Sequence, residues 1–142
     1  MRPIRLHWPA LVVAMLASFL FEAGWFSVFL KPWLAGIGRT MEWLMSQPHI
    51  TPPLQYGVAL LCSFIAAAVL SVSIQASGDQ TLFRGIKVAA VLWFGFVLTG
   101  LAKNDIFEVR PLSLFAINAG YGLIDLVLMG AIVGAWKGKP KP

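Results

Sequence analysis

Long apolar runs alternate along this chain with short polar connections. The first run covers residues 8–30 and is interrupted only by Ser18, Glu22 and Ser27. The second covers 54–74, with Ser63, Ser71 and Ser73 along it. The third covers 82–102 and opens on Arg84 and Lys87; the fourth covers 112–136. About 20 apolar residues in a helix cross the ~30 Å of a bilayer's hydrocarbon layer. Each run therefore predicts a membrane-spanning helix. Pro111 suits the entry to the fourth, where a missing backbone N–H costs little.

The connection at 31–53 is the longest. Its apolar residues Trp33, Leu34, Ile37, Met41, Leu44 and Met45 recur near helical spacing. Trp33 and Trp43 favour the membrane–water boundary. This predicts a short interfacial helix over 32–46, stopped by Pro48, Pro52 and Pro53. The fold expected is an all-α membrane protein. It is a bundle of four transmembrane helices, with that interfacial helix between the first two. The chain forms a single membrane domain ending in a basic tail, 137–142.

Composition agrees with this picture. Of the 142 residues, 58% are apolar and 12% charged, against roughly 25% charged in soluble domains. A soluble chain of this length buries too small a fraction of itself to hide so much apolar surface. The first run resembles a signal-peptide core, but it is too long and no small-x-small cleavage site follows. The net charge of +5 comes from residues scattered at the ends of the runs, not from a basic stripe. It therefore points to topology rather than nucleic acid. Seven cations fall on the side of the two termini and four on the other. That bias predicts both termini in the cytoplasm, with a bacterial inner membrane as the expected location.

Polar residues inside a span are costly and mark functional sites. Glu22 is one, and must be protonated or paired. Asn118, Tyr121, Gly122 and Asp125 follow i, i+3, i+4, i+7 spacing on the fourth helix, which places them on one inward face. Counted along its run, Glu22 lies about two-thirds of the way out and Asp125 about midway back. The two carboxylates approach each other if the bundle closes, although their depths match only loosely. Two such groups in a dry site hold a proton between them, because both cannot ionise cheaply. Glu22, Asn118, Tyr121 and Asp125 are the candidate intramembrane site.

Lys103, Asp105, Glu108 and Arg110 form a second candidate, an interfacial ionic cluster between the third and fourth spans. The single cysteine, Cys62, excludes an internal disulfide and reads as a small buried packing residue. His7 and His49 lie near opposite boundaries without ligand-spaced partners, so no metal site is expected. No nucleophile elbow, phosphate loop or zinc-protease motif is present, and neither a catalytic residue nor a cofactor is expected. Gly130 and Gly134 form a Gly-x-x-x-Gly pair, a candidate close-packing face.

The segment IFEVRPLSLFAINAGY at 106–121, followed by MGAIVGAW at 129–136, resembles the closing part of the domain-of-unknown-function 1761 family. Gly24-Trp25-Phe26-Ser27-Val28 and Lys31-Pro32-Trp33 resemble that family's early motif, in which Tyr and Pro stand where this chain has Phe26 and Val28. Gly122 stands where the family often has His. The resemblance implies a small integral membrane protein and names no activity.

Three functions follow as expectations. The first is a non-enzymatic accessory or structural component with a polar intramembrane core. The second is a small proton-coupled transporter or channel using Glu22 and Asp125. The third is an enzyme at the outer surface using Glu108, Arg110 and Asn118. The chain is expected not to be an enzyme. Its expected partners are the bilayer and a second copy or a larger membrane complex, with the Gly130/Gly134 face as contact.

Overall fold

The computed structural model describes residues 3–136; the basic tail at 137–142 lies outside them. The structure is helical throughout these residues, in the order α1 (Trp8–Ile37), α2 (Met41–Met45), α3 (Pro52–Ala76), α4 (Leu82–Leu92), a π-helical segment (Trp93–Leu98), α5 (Thr99–Phe107) and α6 (Leu112–Ala135). The α4, π and α5 segments run on as a single span, Leu82–Phe107. With α1, α3 and α6 it makes four helices long and apolar enough to cross a membrane.

The side chains sort as they do in lipid. Ser18, Ser63, Ser71, Asp105 and Asp125 are buried, while Leu20, Val28, Val69, Val91 and Phe96 face outward. That inverts the soluble pattern, because outside the bundle no partner exists for a polar group. Short polar connections force consecutive spans to run antiparallel. α6 occupies the centre, packed on α1, α3 and α4. A dry cluster of Leu11, Ala14, Leu70, Ile74, Ala89, Met129 and Val133 seals the half of the bundle that carries the chain ends. At that end Gln75 exchanges two 2.9 Å hydrogen bonds with the backbone of Arg5, and Gln80 donates to the Val133 carbonyl at 2.7 Å.

The α4–α6 crossing is made by glycines. A Cβ on Gly85 would run into the Gly130 carbonyl, and one on Gly130 would lie 2.6 Å from the Gly85 carbonyl oxygen. Small residues let backbones approach this closely in lipid. Gly130 and Gly134 are thus buried inside the bundle against the third span. They do not form the outward contact face that the Gly-x-x-x-Gly pattern suggested, because Gly85, unremarkable in sequence, supplies the matching groove.

A short helix does lie between the first two spans, but it is only five residues, α2, capped by the Thr40 hydroxyl accepting from Trp43 N–H at 3.2 Å. Residues 32–37, expected within it, instead extend α1 through Pro32. The lost donor of Pro32 is offset by tertiary contacts. The indole of Trp33 donates to Asn118 Oδ1 at 3.2 Å. Gly36 packs against Leu114, where a Cβ would come within 2.8 Å of the leucine Cβ. Gly38, at φ 68°, then ends the helix.

The α5–α6 connection is tighter than its charge pattern predicted. Lys103 and Asp105 belong to α5, which ends in a left-handed turn with Arg110 N–H on the Asp105 carbonyl at 2.8 Å. The turn residue is Val109, at φ 55° and 88% exposed. A left-handed non-glycine residue costs roughly 1–2 kcal/mol, and a side chain this exposed has little packing to compensate. Val109→Gly is therefore expected to stabilise the protein by about 1 kcal/mol, after the entropic penalty of glycine. Thermal unfolding of the detergent-solubilised variant checks this; an unchanged or lower midpoint refutes strain at the turn.

Candidate functional site

Extending α1 to Ile37 moves Glu22 to the middle of its helix. Asp125 is at the middle of α6 and Ser63 at the middle of α3. The depths that matched only loosely along the sequence therefore coincide. Glu22, Tyr121 and Asp125 line one cavity of about 600 Å³, together with Gln55, Cys62 and Ser63. It reaches from Ile50 and Leu54, near the 31–53 connection, down to Met129 at the edge of the dry cluster. The sealed half of the bundle closes its inner end.

Asp125 is only 8% exposed, and its Oδ1 has no hydrogen-bond partner. A buried carboxyl oxygen without a partner is expensive and calls for explanation. Ser18 lies against the Asp125 carboxyl, and Ser18 and Ser63 share a 2.9 Å hydrogen bond. The two serines tie α1 to α3 at the level of Asp125. Tyr121 is held between Phe21, stacked at 5.9 Å and 3°, and Phe26 at 5.4 Å. Stacking of this kind fixes the ring position.

Asn118 does not join Tyr121 and Asp125 at the cavity. Its side-chain oxygen is taken by Trp33. Gly122 leaves the expected face altogether: a Cβ there would lie 3.2 Å from Val97 and 3.6 Å from Trp93 of the π segment. The indole of Trp93 donates to the Ala119 carbonyl at 3.0 Å, which turns this side of α6 toward the third span. A side chain at position 122 would thus point away from the carboxylates.

Cys62 is exposed and lines the cavity, which corrects its reading as a buried packing residue. The buried stripe of α3 runs through Ser63, Ala67, Leu70, Ser71 and Ile74, and Cys62 stands to one side of it.

The ionic cluster divides. Arg110 Nε meets Glu108 Oε2 at 2.7 Å, and Arg110 Nη1 donates to the Ile37 carbonyl at 3.2 Å. A cation there satisfies an end carbonyl of α1 and suits its dipole. The hydrogen bond from Arg110 holds the Glu108 carboxyl below the usual carboxylate range. Among the described residues Lys103 and Asp105 stand outside this pair. Asp105 is buried, lines a separate cavity with Arg110 and Phe115, and leaves Oδ2 unpartnered. Arg110 lines the cavity of Asp105, and neither Glu108 nor Asn118 takes part in its wall.

Sequence reasoning missed a second cavity, of about 340 Å³, walled by Phe19, Phe26, Trp33 and Tyr56. Glu22 and Gln55 line it as well. A signal was available: Phe19, Phe26 and Trp33 recur at intervals of seven, one helix face.

The two stretches of family resemblance meet here. Trp33 and Phe26 of α1 touch Asn118 and Tyr121 of α6, and Trp25 lies beside Gly120. The family model described as "Protein of unknown function (DUF1761)" matches residues 9–134. Comparison with curated proteins and with solved structures finds no match.

Proposed function

We propose a function from one premise: the chain belongs to the DUF1761 family, whose members' function is unknown. Of the functions weighed above, a small proton-coupled membrane transporter or channel is best supported. The observation that carries it is that Glu22 and Asp125, two carboxyls at mid-helix depth, line one open cavity. A purely structural polar core would satisfy its buried groups, since a half-satisfied network is worse than an apolar one. A proton-carrying carboxyl instead needs a free oxygen and a route for water.

In this reading Asp125 and Glu22 share protons, and the Ser18–Ser63 bond holds α1 against α3 at the level of Asp125. The cavity gives access from the side of the 31–53 connection, and the dry cluster blocks the other. Passage across the membrane then requires that cluster to part. The excess of cations beside the termini supports a cytoplasmic location for them, which would open the cavity outward. An accessory role is the second reading, favoured by the buried Ser18–Ser63 bond, which ties two helices as packing polar groups do.

The test uses proteoliposomes holding a pH-sensitive dye and an imposed proton gradient. The parent protein is expected to dissipate the gradient, while Glu22→Gln and Asp125→Asn assemble normally and abolish the flux. Flux in both variants equal to that of the parent, or none in the parent above protein-free vesicles, sinks the proton reading and leaves the accessory one.

A further inference from the structure

We propose that the aromatic cavity beside Glu22 binds a lipophilic organic cation in exchange for a proton. The proposal rests on Glu22 being a proton carrier and adds the class of substrate.

The wall of this cavity is built from ring pairs. Phe26 and Trp33 meet edge to face at 5.7 Å and 80°, and Phe19 and Tyr56 do so at 5.8 Å and 86°. Faces of aromatic rings attract cations through their quadrupole, most strongly where water is excluded. Apart from Glu22 and Gln55 the remaining wall is aliphatic, from Ala23, Leu30, Leu44 and Ala59. Such a lining rejects a hydrated metal ion and accepts a cation with an apolar body.

Charge complementarity points the same way. The ionisable groups lining the two cavities are Glu22 of α1, Tyr56 and Cys62 of α3, and Tyr121 and Asp125 of α6. Among the described residues no Lys, Arg or His lines either one. A neutral occupant would make no use of a charge on Glu22, and an anion would face that carboxyl with no cation to offset it. The volume of about 340 Å³ suits a small drug-sized body.

Glu22 lines both cavities, so one carboxyl serves the aromatic site and the Asp125 site. The exchange balances. Neutral Glu22 loses its proton to water through the larger cavity, and the carboxylate formed pairs with the entering cation. No covalent bond in the ligand changes. Net charge is conserved, because one proton leaves for each monovalent cation that enters.

The experiment uses the purified full chain in lipid nanodiscs with methyltriphenylphosphonium as probe and triphenylphosphine oxide as its neutral analogue. Calorimetry measures affinity, and a pH dye in weak buffer measures released protons. The cation is expected to bind with release of up to one proton, more tightly at pH 8 than at pH 6, and the neutral analogue to release none. Glu22→Gln is expected to eliminate the proton release and the pH dependence. Tyr56→Leu, on a helix face 57% exposed and outside the dry cluster, is expected to weaken binding about tenfold. Equal binding of cation and neutral analogue overturns the proposal, as does cation affinity unchanged in both variants. If either occurs while Glu22-dependent proton flux persists in proteoliposomes, only the substrate class has failed. Loss of that flux removes the underlying reading as well.

Discussion

Gly130→Val is expected to prevent the bundle from assembling. The atoms that a new side chain would strike are backbone. A Cβ at position 130 would sit 2.6 Å from the Gly85 carbonyl oxygen and 2.8 Å from the Cβ of Ala89. Gly134 beside it is equally confined, at 2.5 Å from the Thr81 carbonyl oxygen. No rotamer change relieves such a contact, so α4 and α6 must separate. Overpacking where side chains can shift costs about 1–3 kcal/mol. Here the cost is expected to reach the top of that range or pass it, and the crossing is the most extensive in the molecule. Gly100→Ala is the control, because a Cβ there meets nothing within 4 Å. The measurement is the monodisperse yield and thermal midpoint in detergent. A Gly130→Val protein as stable as the Gly100→Ala control would refute the close crossing.

Asp125→Leu is expected to move stability and activity in opposite directions. The parent buries a carboxyl whose Oδ1 finds no partner, a defect typically worth about 1–3 kcal/mol. Leucine has the same branched heavy-atom skeleton, and the cavity bordered by Leu126 and Met129 leaves room for its bulkier methyls. Ser18 keeps its bond to Ser63 when the carboxyl is gone. The variant is therefore expected to unfold at a higher temperature by about 1 kcal/mol or more of stability, while proton flux falls to that of protein-free vesicles. If Asp125 instead holds the helices together, Asp125→Leu lowers the midpoint. That result would return the carboxyl to a structural role. The pattern expected is that of a site kept at the expense of stability.

The four spans could be read from the residues because apolar runs of sufficient length have one stable solution in lipid. The position of Glu22 was read less well. Pro32 looks like a helix end, since it lacks a donor, and ending α1 there puts Glu22 too far out. Only the contacts of Trp33 with Asn118 and of Gly36 with Leu114, both on a helix some 80 residues away, show why α1 continues. On α6, Tyr121 and Asp125 line the cavity, whereas Gly122 turns to the third span. Helical spacing gives a side chain's direction to within about a quarter-turn, and two neighbours at 121 and 122 fall to different helices. Arg110 and Glu108 were legible as a pair from their spacing. The buried position of Asp105 was not, because that depends on where α5 ends.

Length, apolarity and charge placement dictate a bundle of four helices, for they decide which segments leave water and in what order. They also mark Glu22 and Asp125, since a carboxyl within an apolar run is conspicuous wherever the helices lie. Which groups share a cavity is a matter of helix rotation and depth, and those are set by contacts between distant parts of the chain. The Gly85–Gly130 crossing turns one side of α6 to the third span. The Trp33–Asn118 bond fixes another side against α1, and the Ser18–Ser63 bond ties α1 to α3. Tertiary packing thus brought Glu22, Tyr121 and Asp125 to one level and placed four aromatic rings beside them, an arrangement that no local pattern encodes.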